Sequence, residues 1–158
     1  MPWWCSGVLA CGPRPDTIVR TYDVPGERVM QSMANPFFTV GHSTRGVDEF
    51  IHLLRQAEVE LVVDVRSIPR SGTNPQFNRE TFPKTLSAHQ IGYEYIATLG
   101  GRRGKSREVP PTVNAFWEQQ SFHNYADYVM TEAFRSGFAE LRELGRMKRC
   151  TVVCAEAV

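Results

Sequence analysis

FFTVGHSTR at residues 37–45 and LVVDVRSIPR at residues 61–70 are two short apolar strands that each run into polar residues. The segment between them has an amphipathic helical pattern, and a strand-helix-strand unit places its two strands parallel in one sheet. The two polar ends then meet at the same edge, where open parallel sheets bind their ligands. We therefore predict an α/β domain with a site at this edge. Its first candidate residues are His42, Ser43, Asp64 and Arg66.

Length and composition bound the class of protein. A chain of 158 residues suits one domain with a single core. Hydrophobic residues make up 42% and charged residues 22%, which are ordinary values for a globular protein and exclude a disordered chain. No apolar run approaches the ~18 residues of a membrane-spanning helix. The net charge of +1 gives no overall attraction to nucleic acid or acidic membranes, so any such binding needs a local patch.

The periodic patterns predict the remaining elements. Val47, Phe50, Ile51 and Leu54 form the apolar stripe of a first helix, with Gly46 as its N-cap and Glu49 placed to complete a capping interaction. Further predicted helices cover residues 79–90, with Pro83 in the first turn, and the stripes Phe122, Tyr125, Ala126, Val129 and Phe134, Phe138, Leu141, Leu144. Further strands are predicted at residues 93–96 and 150–155. The fold class is a single α/β domain with a parallel-dominated sheet flanked by helices.

The two ends of the chain differ from its middle. Prolines and glycines interrupt every periodic pattern in residues 1–35, which we interpret as an irregular N-terminal extension, with Met33 as an alternative natural start. The stretch lacks the basic start and apolar length of a signal peptide, so we expect a cytoplasmic protein. The last strand has no covering helix after it, so we expect that the domain of residues 36–158 lacks a C-terminal segment.

Three residues are candidates for catalysis. His42 suits a general base because the pKa of histidine lies near neutrality, although a hydrogen-bonded turn residue fits the same position. Asp64 lies within an apolar strand, and a buried carboxylate needs a partner. A structural pair with Arg66 and a proton-transferring role explain Asp64 equally well. Glu156 follows the last strand at the same predicted edge.

Glycines, amides and arginines are candidates for binding an anion. The Gly100-Gly101-Arg102 turn offers backbone N–H groups beside a guanidinium, which suits phosphate or carboxylate, and a flexible basic surface loop is the alternative. Phe77 is expected to pack in the core rather than stack on a planar ligand. The candidate binding residues are Ser43, Arg66, Arg70, Asn74, Asn78, Gly100, Gly101 and Arg102. Their excess of arginines favours an anionic ligand.

Two familiar sites are excluded by spacing. Residues 100–106 resemble a nucleotide-binding P-loop, but only three residues separate Gly100 from the Gly-Lys-Ser, and Pro110 and Pro111 prevent the helix that must follow. The four cysteines have no zinc-binding pattern, so no metal site is predicted. Cys150 and Cys154 lie roughly 13 Å apart by strand rise. That separation is too large for a disulfide, and reduced thiols are expected.

Six motifs in order resemble the domain of unknown function 488 family. They are GHSTR at 41–45, DVRSIPR at 64–70, NPQFN at 74–78, LGGR at 99–102, YADY at 125–128 and CAE at 154–156. The resemblance spans residues 37–158 and implies a small bacterial or archaeal α/β protein, with no established activity or substrate. Members of that family continue beyond the equivalent of Glu156 into a Cys-His-Arg motif and a closing helix, which this chain lacks.

Three functional hypotheses follow. In the first, the protein is an enzyme on a phosphate-bearing or nucleotide-like substrate: Asp64 or His42 transfers protons, Arg66 and Arg102 hold the anion, and Glu156 orients or activates. The second is a non-catalytic module for a nucleotide or nucleic acid, and the third is a truncated product without independent function. The sequence names no cofactor and no oligomeric state. Asp64→Asn and Arg102→Ala are expected to weaken ligand binding more than folding.

Overall fold

The computed structural model describes residues 35–155, and the predicted N-terminal extension with Met33, like Glu156, lies outside them. Four strands and four helices lie within the described residues. They are β1 (Phe38–Gly41), α1 (Val47–Gln56), β2 (Leu61–Asp64), α2 (Phe82–Ala88), β3 (Gly92–Tyr95), α3 (Gln120–Val129), α4 (Glu132–Met147) and β4 (Cys150–Cys154). Single 3₁₀ turns lie at Pro75–Phe77 and Ala97–Leu99.

All four strands form one parallel sheet in the order β1-β4-β2-β3, which confirms the predicted fold class. Strand β4, the last in sequence, lies between β1 and β2, with Val153 in register with Val40 on one side and with Asp64 on the other. Parallel strands need both faces covered, which explains why β2 and β4 are continuous apolar runs rather than alternating ones. The carboxyl ends of β1, β4 and β2 therefore lie side by side.

Helices α1 and α2 cover one face of the sheet. Phe50, Ile51 and Leu54 of the predicted α1 stripe are buried, which confirms that this stripe faces the core. Three phenylalanine rings, from α1, α2 and the turn between β2 and α2, pack edge to face above the sheet. The buried cluster contains Phe38, Val40, Phe50, Ile51, Leu54, Val59, Val62, Phe77, Phe82, Leu86, Ile91 and Val153.

Helix α4 covers the other face. Its glycines allow close approach, because a Cβ at Gly137 would meet Thr98 and a Cβ at Gly145 would meet the Phe37 ring. The buried cluster on this side contains Leu61, Val63, Ile96, Leu99, Leu141 and Cys150. None of the helices within residues 35–155 is long and apolar enough to cross a membrane.

Three local details differ from the sequence-based expectations. Glu49 makes no capping bond at Gly46, because its carboxylate accepts from the Arg45 side chain at 3.1 Å. The predicted helix over 79–90 is shorter, beginning at Phe82, since the Thr81 hydroxyl donates back to the carbonyl of Pro75 at 2.9 Å and holds a turn there. Phe122, which shared a predicted apolar stripe, is exposed on α3.

Helix α3 is attached through two tyrosines, whose rings contact Phe134 of α4 and whose hydroxyls form hydrogen bonds. The hydroxyls of Tyr125 and Tyr128 donate to the carbonyls of Leu99 and Thr98, at 3.0 and 2.8 Å. Burial raises the pKa of Tyr125. The one buried residue of α3 is Asp127, which accepts from the Asn114 amide at 3.0 Å. The period of 3.6 in the sequence therefore located α3 correctly. The two tyrosines determine which face of the helix packs against the rest of the domain.

Candidate ligand-binding site at the carboxyl edge of the sheet

A cavity of about 420 Å³ lies at the carboxyl ends of β1, β4 and β2. Backbone pairing continues past β1 into this edge, since the amides of His42 and Ser43 donate to the carbonyls of Cys154 and Ala155. Five of the predicted site residues line the cavity: His42, Ser43, Arg66, Arg70 and Asn74. Ile68, Ser71, Thr73 and Ala155 complete its wall.

Asp64 and Arg66 form a buried ion pair beneath the cavity. Asp64 is fully buried, and its two oxygens accept from Nε and Nη2 of Arg66 at 2.9 and 2.6 Å. The Arg66 backbone amide donates to the same carboxylate at 3.0 Å. A two-pronged guanidinium-carboxylate pair of this kind fixes both side chains. The sequence left a structural pair and a proton-transferring role open for Asp64, and the pair is present.

The ion pair belongs to a larger network. The Tyr93 hydroxyl donates to Asp64 Oδ2 at 2.8 Å, and the pKa of Tyr93 is raised by burial and by this carboxylate. Arg66 Nη2 also donates to the carbonyl of Phe77 at 2.7 Å, and Nη1 donates to His42 Nε2 at 3.1 Å. A guanidinium has five N–H groups. Four of those of Arg66 are engaged, which leaves one Nη1 N–H without a partner among residues 35–155.

The geometry determines the protonation of His42. Because arginine only donates, His42 Nε2 must be an unprotonated acceptor, and Nδ1 carries the hydrogen that it donates to the Ser43 carbonyl at 3.1 Å. Burial, with a contribution from the Arg66 charge, lowers the pKa of His42 below 6.5. The ring stacks on Phe77, with centroids 4.7 Å apart. His42 is therefore neutral, and a general-base role would require Nε2 to break its bond with Arg66.

Ser43 has a strained backbone at the mouth of the cavity. Its φ is 44°, in the left-handed region that residues other than glycine rarely adopt. The Ser43 carbonyl accepts from both the His42 ring and the Asn74 amide, and its N–H bonds to Ala155. Backbone strain of this kind persists only where surrounding contacts hold it, and it is concentrated at functional sites.

The loop after β2 forms the rim. Asn78 holds it, accepting from the Ser71 amide at 2.6 Å, while the Ser71 hydroxyl accepts from the amide of Asn74 at 3.1 Å. Arg70 is exposed and pairs with Glu80 at 2.6 Å, a contact that lowers the pKa of Glu80. Phe77 is buried in the core, as the sequence predicts. Both arginines of the cavity therefore face a carboxylate, so the arginine excess in the sequence is not an excess of charge here.

The Gly100-Gly101-Arg102 turn does not line the cavity. It lies beside the loop that follows Arg66, because the Arg102 amide donates to the Ser67 hydroxyl at 2.9 Å and a Cβ at Gly100 would collide with Ser67. The turn therefore packs the end of β3 against the neighbouring loop.

Sequence reasoning missed Tyr93, Ile68, Ser71 and Thr73 as parts of the network and wall. Tyr93 pairs with Val62 across the sheet, so it lies on the face of Asp64. A tyrosine on an edge strand has no pattern that distinguishes it from an ordinary β-former; its role becomes visible only with the strand order.

The chemistry of the cavity is that of hydrogen-bond donors. Guanidinium and amide N–H groups and hydroxyls surround it, and these suit phosphate or carboxylate oxygens. Within residues 35–155, no three His, Cys, Asp or Glu side chains converge as metal ligands would. Cys150 and Cys154 are not joined by a disulfide, as their spacing predicts, and burial raises the pKa of Cys150 to about 11.

The fold and site define a small parallel α/β domain with a polar cavity at the carboxyl edge of its sheet. Residues 46–158 match the family described as Domain of unknown function DUF488. The match covers well over half of the chain, so the protein belongs to the DUF488 family, which confirms the resemblance seen in the motifs. No curated protein and no solved structure shows a significant match to the chain.

Proposed function

We propose that this DUF488 domain binds a small anionic ligand, phosphate-bearing or nucleotide-like, in the cavity at the carboxyl edge. The observation that carries the proposal is the unshared Nη1 N–H of Arg66, on a side chain that lines the cavity and is otherwise fixed by Asp64, Phe77 and His42. A donor held in place by its other contacts binds an acceptor with little loss of conformational entropy. An anion is the acceptor that a guanidinium favours.

Arg70 supplies the second contact in this proposal. Its pair with Glu80 is exposed on both sides, and exposed ion pairs contribute little to stability because water and salt screen them. A ligand phosphate can therefore replace Glu80 as the partner of Arg70 at small cost. Asn74, whose amide is committed to Ser43, would hold the wall in place rather than bind. A volume of about 420 Å³ is within the range of small-molecule sites.

Turnover of the bound ligand is a second candidate, and the strained backbone of Ser43 favours it. In that case the anion would accept from both Nη1 N–H groups of Arg66, displacing His42 Nε2 from the one it now holds and releasing the histidine to take a proton. Binding without turnover would leave the network as it is. A turnover assay on any ligand found therefore separates an enzyme from a binding module.

The first experiment is a thermal-shift titration of the full chain with inorganic phosphate, ribose 5-phosphate, AMP and malonate. A saturable stabilisation is expected, about 2.7 kcal/mol when the ligand is at ~100 times its Kd. Arg70→Gln should weaken the binding. Arg146→Gln removes an equally exposed ion pair, with Glu143 on α4, and should bind as the wild type does.

Absence of stabilisation by all four probes, or equal weakening by both variants, would contradict the proposal. A chain that shows no cooperative melting at all would instead support the hypothesis of a truncated product.

A further inference from the structure

We propose that a second surface, separate from the cavity and independent of its proposed function, binds single-stranded nucleic acid. It consists of a basic loop, residues 102–107, and an aromatic patch formed by Phe116, Trp117 and Phe122. Single-stranded nucleic acid is bound by basic groups along its backbone and by aromatic side chains on which its bases stack.

The aromatic patch is exposed. Phe116 is 86% accessible, Trp117 44% and Phe122 49%. Their rings nevertheless contact one another, with centroids 5.6 and 5.7 Å apart and planes steeply inclined. Surface hydrophobic residues scattered singly are ordinary, but three adjoining exposed rings form a patch that marks an interaction site.

The basic loop holds cations without carboxylate partners. Six arginines of the described chain form ion pairs with Asp or Glu: Arg45, Arg66, Arg70, Arg135, Arg146 and Arg149. Arg102, Lys105 and Arg107 are exposed, and within residues 35–155 none of them has such a partner. Arg103 has a different role, since its guanidinium lies over the Tyr128 ring and bonds to the carbonyls of Gly100 and Ala97. The loop is thus fixed while its three other cations face solvent.

Helix α3 lies between the loop and the patch. The Asn124 amide donates to the Arg103 carbonyl, and a small cavity joins Lys105 to Gln120 and Asp127 of the same helix face. Phe122 lies on the other flank of the helix, next to Trp117. Residues 108–119 connect the loop to α3, and this segment contacts the helix through Asn114, whose amide donates to Asp127.

The composition of this surface favours nucleic acid over other partners. A phosphate backbone satisfies cations that lack carboxylates, and bases of any sequence can stack on the rings. Binding to anionic lipid would use an amphipathic helix with a broad apolar face, whereas α3 presents Gln120, His123 and Asn124 to the basic loop. The net charge of +1 for the whole chain predicts no general attraction, so binding must come from this patch.

The test is fluorescence anisotropy of the full chain with labelled 15-nucleotide oligo(dT) and oligo(U), and with a 15-base-pair duplex. Saturable binding of a single strand, tighter than that of the duplex, is expected. With three phosphate contacts the logarithm of the association constant should fall with log salt at a slope of about −2. Trp117→Ala should weaken binding about fivefold or more, the lower end of the effect of losing one stacked base.

A matched pair of triple variants separates the patch from general charge. Arg102→Gln/Lys105→Gln/Arg107→Gln should abolish most of the binding. Arg135→Gln/Arg142→Gln/Arg146→Gln removes the same amount of charge from exposed positions of α4 and should retain most of the binding. Circular dichroism melting confirms that each variant folds.

The proposal is overturned if no strand binds at 50 mM salt, if both triple variants lose binding equally, or if Trp117→Ala binds normally. It is also overturned if Trp117→Ala abolishes self-association of the chain in sedimentation, or if anionic phospholipid vesicles bind through the patch while oligonucleotides do not.

Discussion

At the scale of single residues, Arg66 connects the core to the cavity. Its side chain is buried, and the carboxylate of Asp64, the carbonyl of Phe77 and the ring of His42 each accept from it. The same guanidinium cannot both lose its partners and stay buried, because an uncompensated buried charge is strongly destabilising. The site and the fold therefore share this residue.

Asp64→Asn is expected to destabilise the protein by about 3–5 kcal/mol, because it leaves the Arg66 charge unpaired in the interior. Arg66→Met alone should also be costly, since Asp64 then lacks its partner. The double variant Asp64→Asn/Arg66→Met should cost clearly less than the sum. Urea denaturation at pH 7 measures the three free energies of unfolding.

Glu80→Gln serves as the control for this cycle, because its exposed pair with Arg70 should contribute little to the free energy of unfolding. From the sequence, Asp64→Asn was expected to weaken ligand binding more than folding. The buried pair with Arg66 leads us to expect a loss of stability instead. Should Asp64→Asn unfold at the wild-type urea concentration and lose only ligand binding, the structural role assigned to the pair is wrong.

His42 makes stability depend on pH. Its pKa is lowered in the folded state, mainly by burial, while in the unfolded chain it returns to about 6.5. Below that value the unfolded state binds a proton that the folded state does not, so the contribution of His42 is fully present above pH 6.5 and is lost as the pH falls through the folded pKa. Urea midpoints from pH 8 to pH 5 should therefore fall less steeply in His42→Gln than in the wild type.

The ¹⁵N shifts of the His42 ring provide an independent check, since hydrogen should be on Nδ1 and absent from Nε2. An equal pH dependence in wild type and His42→Gln, or a protonated Nε2 at pH 7, would contradict this assignment.

At the scale of elements, the sequence predicted those parts that depend on local pattern. The positions of β1, β2, α1 and α4 follow from continuous apolar runs or a period of 3.6, and the loop after β2 was recognised by its composition. The packing of Phe77 beneath that loop was also predicted. These features depend on a few neighbouring residues each.

Other elements depend on contacts between distant residues and could not be predicted. The exposed side of α3 is set by Tyr125 and Tyr128, whose carbonyl partners lie 26 and 30 residues earlier in the chain. The sequence showed an excess of arginines among the candidate site residues, but not that Glu80 pairs with Arg70 at the cavity. That β4 lies between β1 and β2, and that Arg102 packs on Ser67 outside the cavity, could be seen only in the structure.

At the scale of the whole molecule, β4 joins two parts of the sheet that residues 35–155 form. β1 pairs with β4 and not with β2, so β4 is the connection between the N-terminal strand and the β2-β3 pair. The partners are far apart in sequence, as in the pair Phe38 and Thr151. The cavity also depends on β4, because its walls include the ends of β1, β4 and β2.

Hydrogen exchange should therefore find the amides of β4 and β2 among the slowest in the chain, and those of the edge strands β1 and β3 faster, because opening β4 separates the sheet into two parts. A chain ending at Lys148 lacks the strand that joins these parts and should show no cooperative unfolding transition. In that chain β2 still pairs with β3 but loses β4, and the apolar residues on both faces of the sheet lose the contacts that β4 makes. If the shortened chain unfolded cooperatively, or if β1 exchanged more slowly than β4, the sheet would not depend on its last strand in the way that the strand order requires.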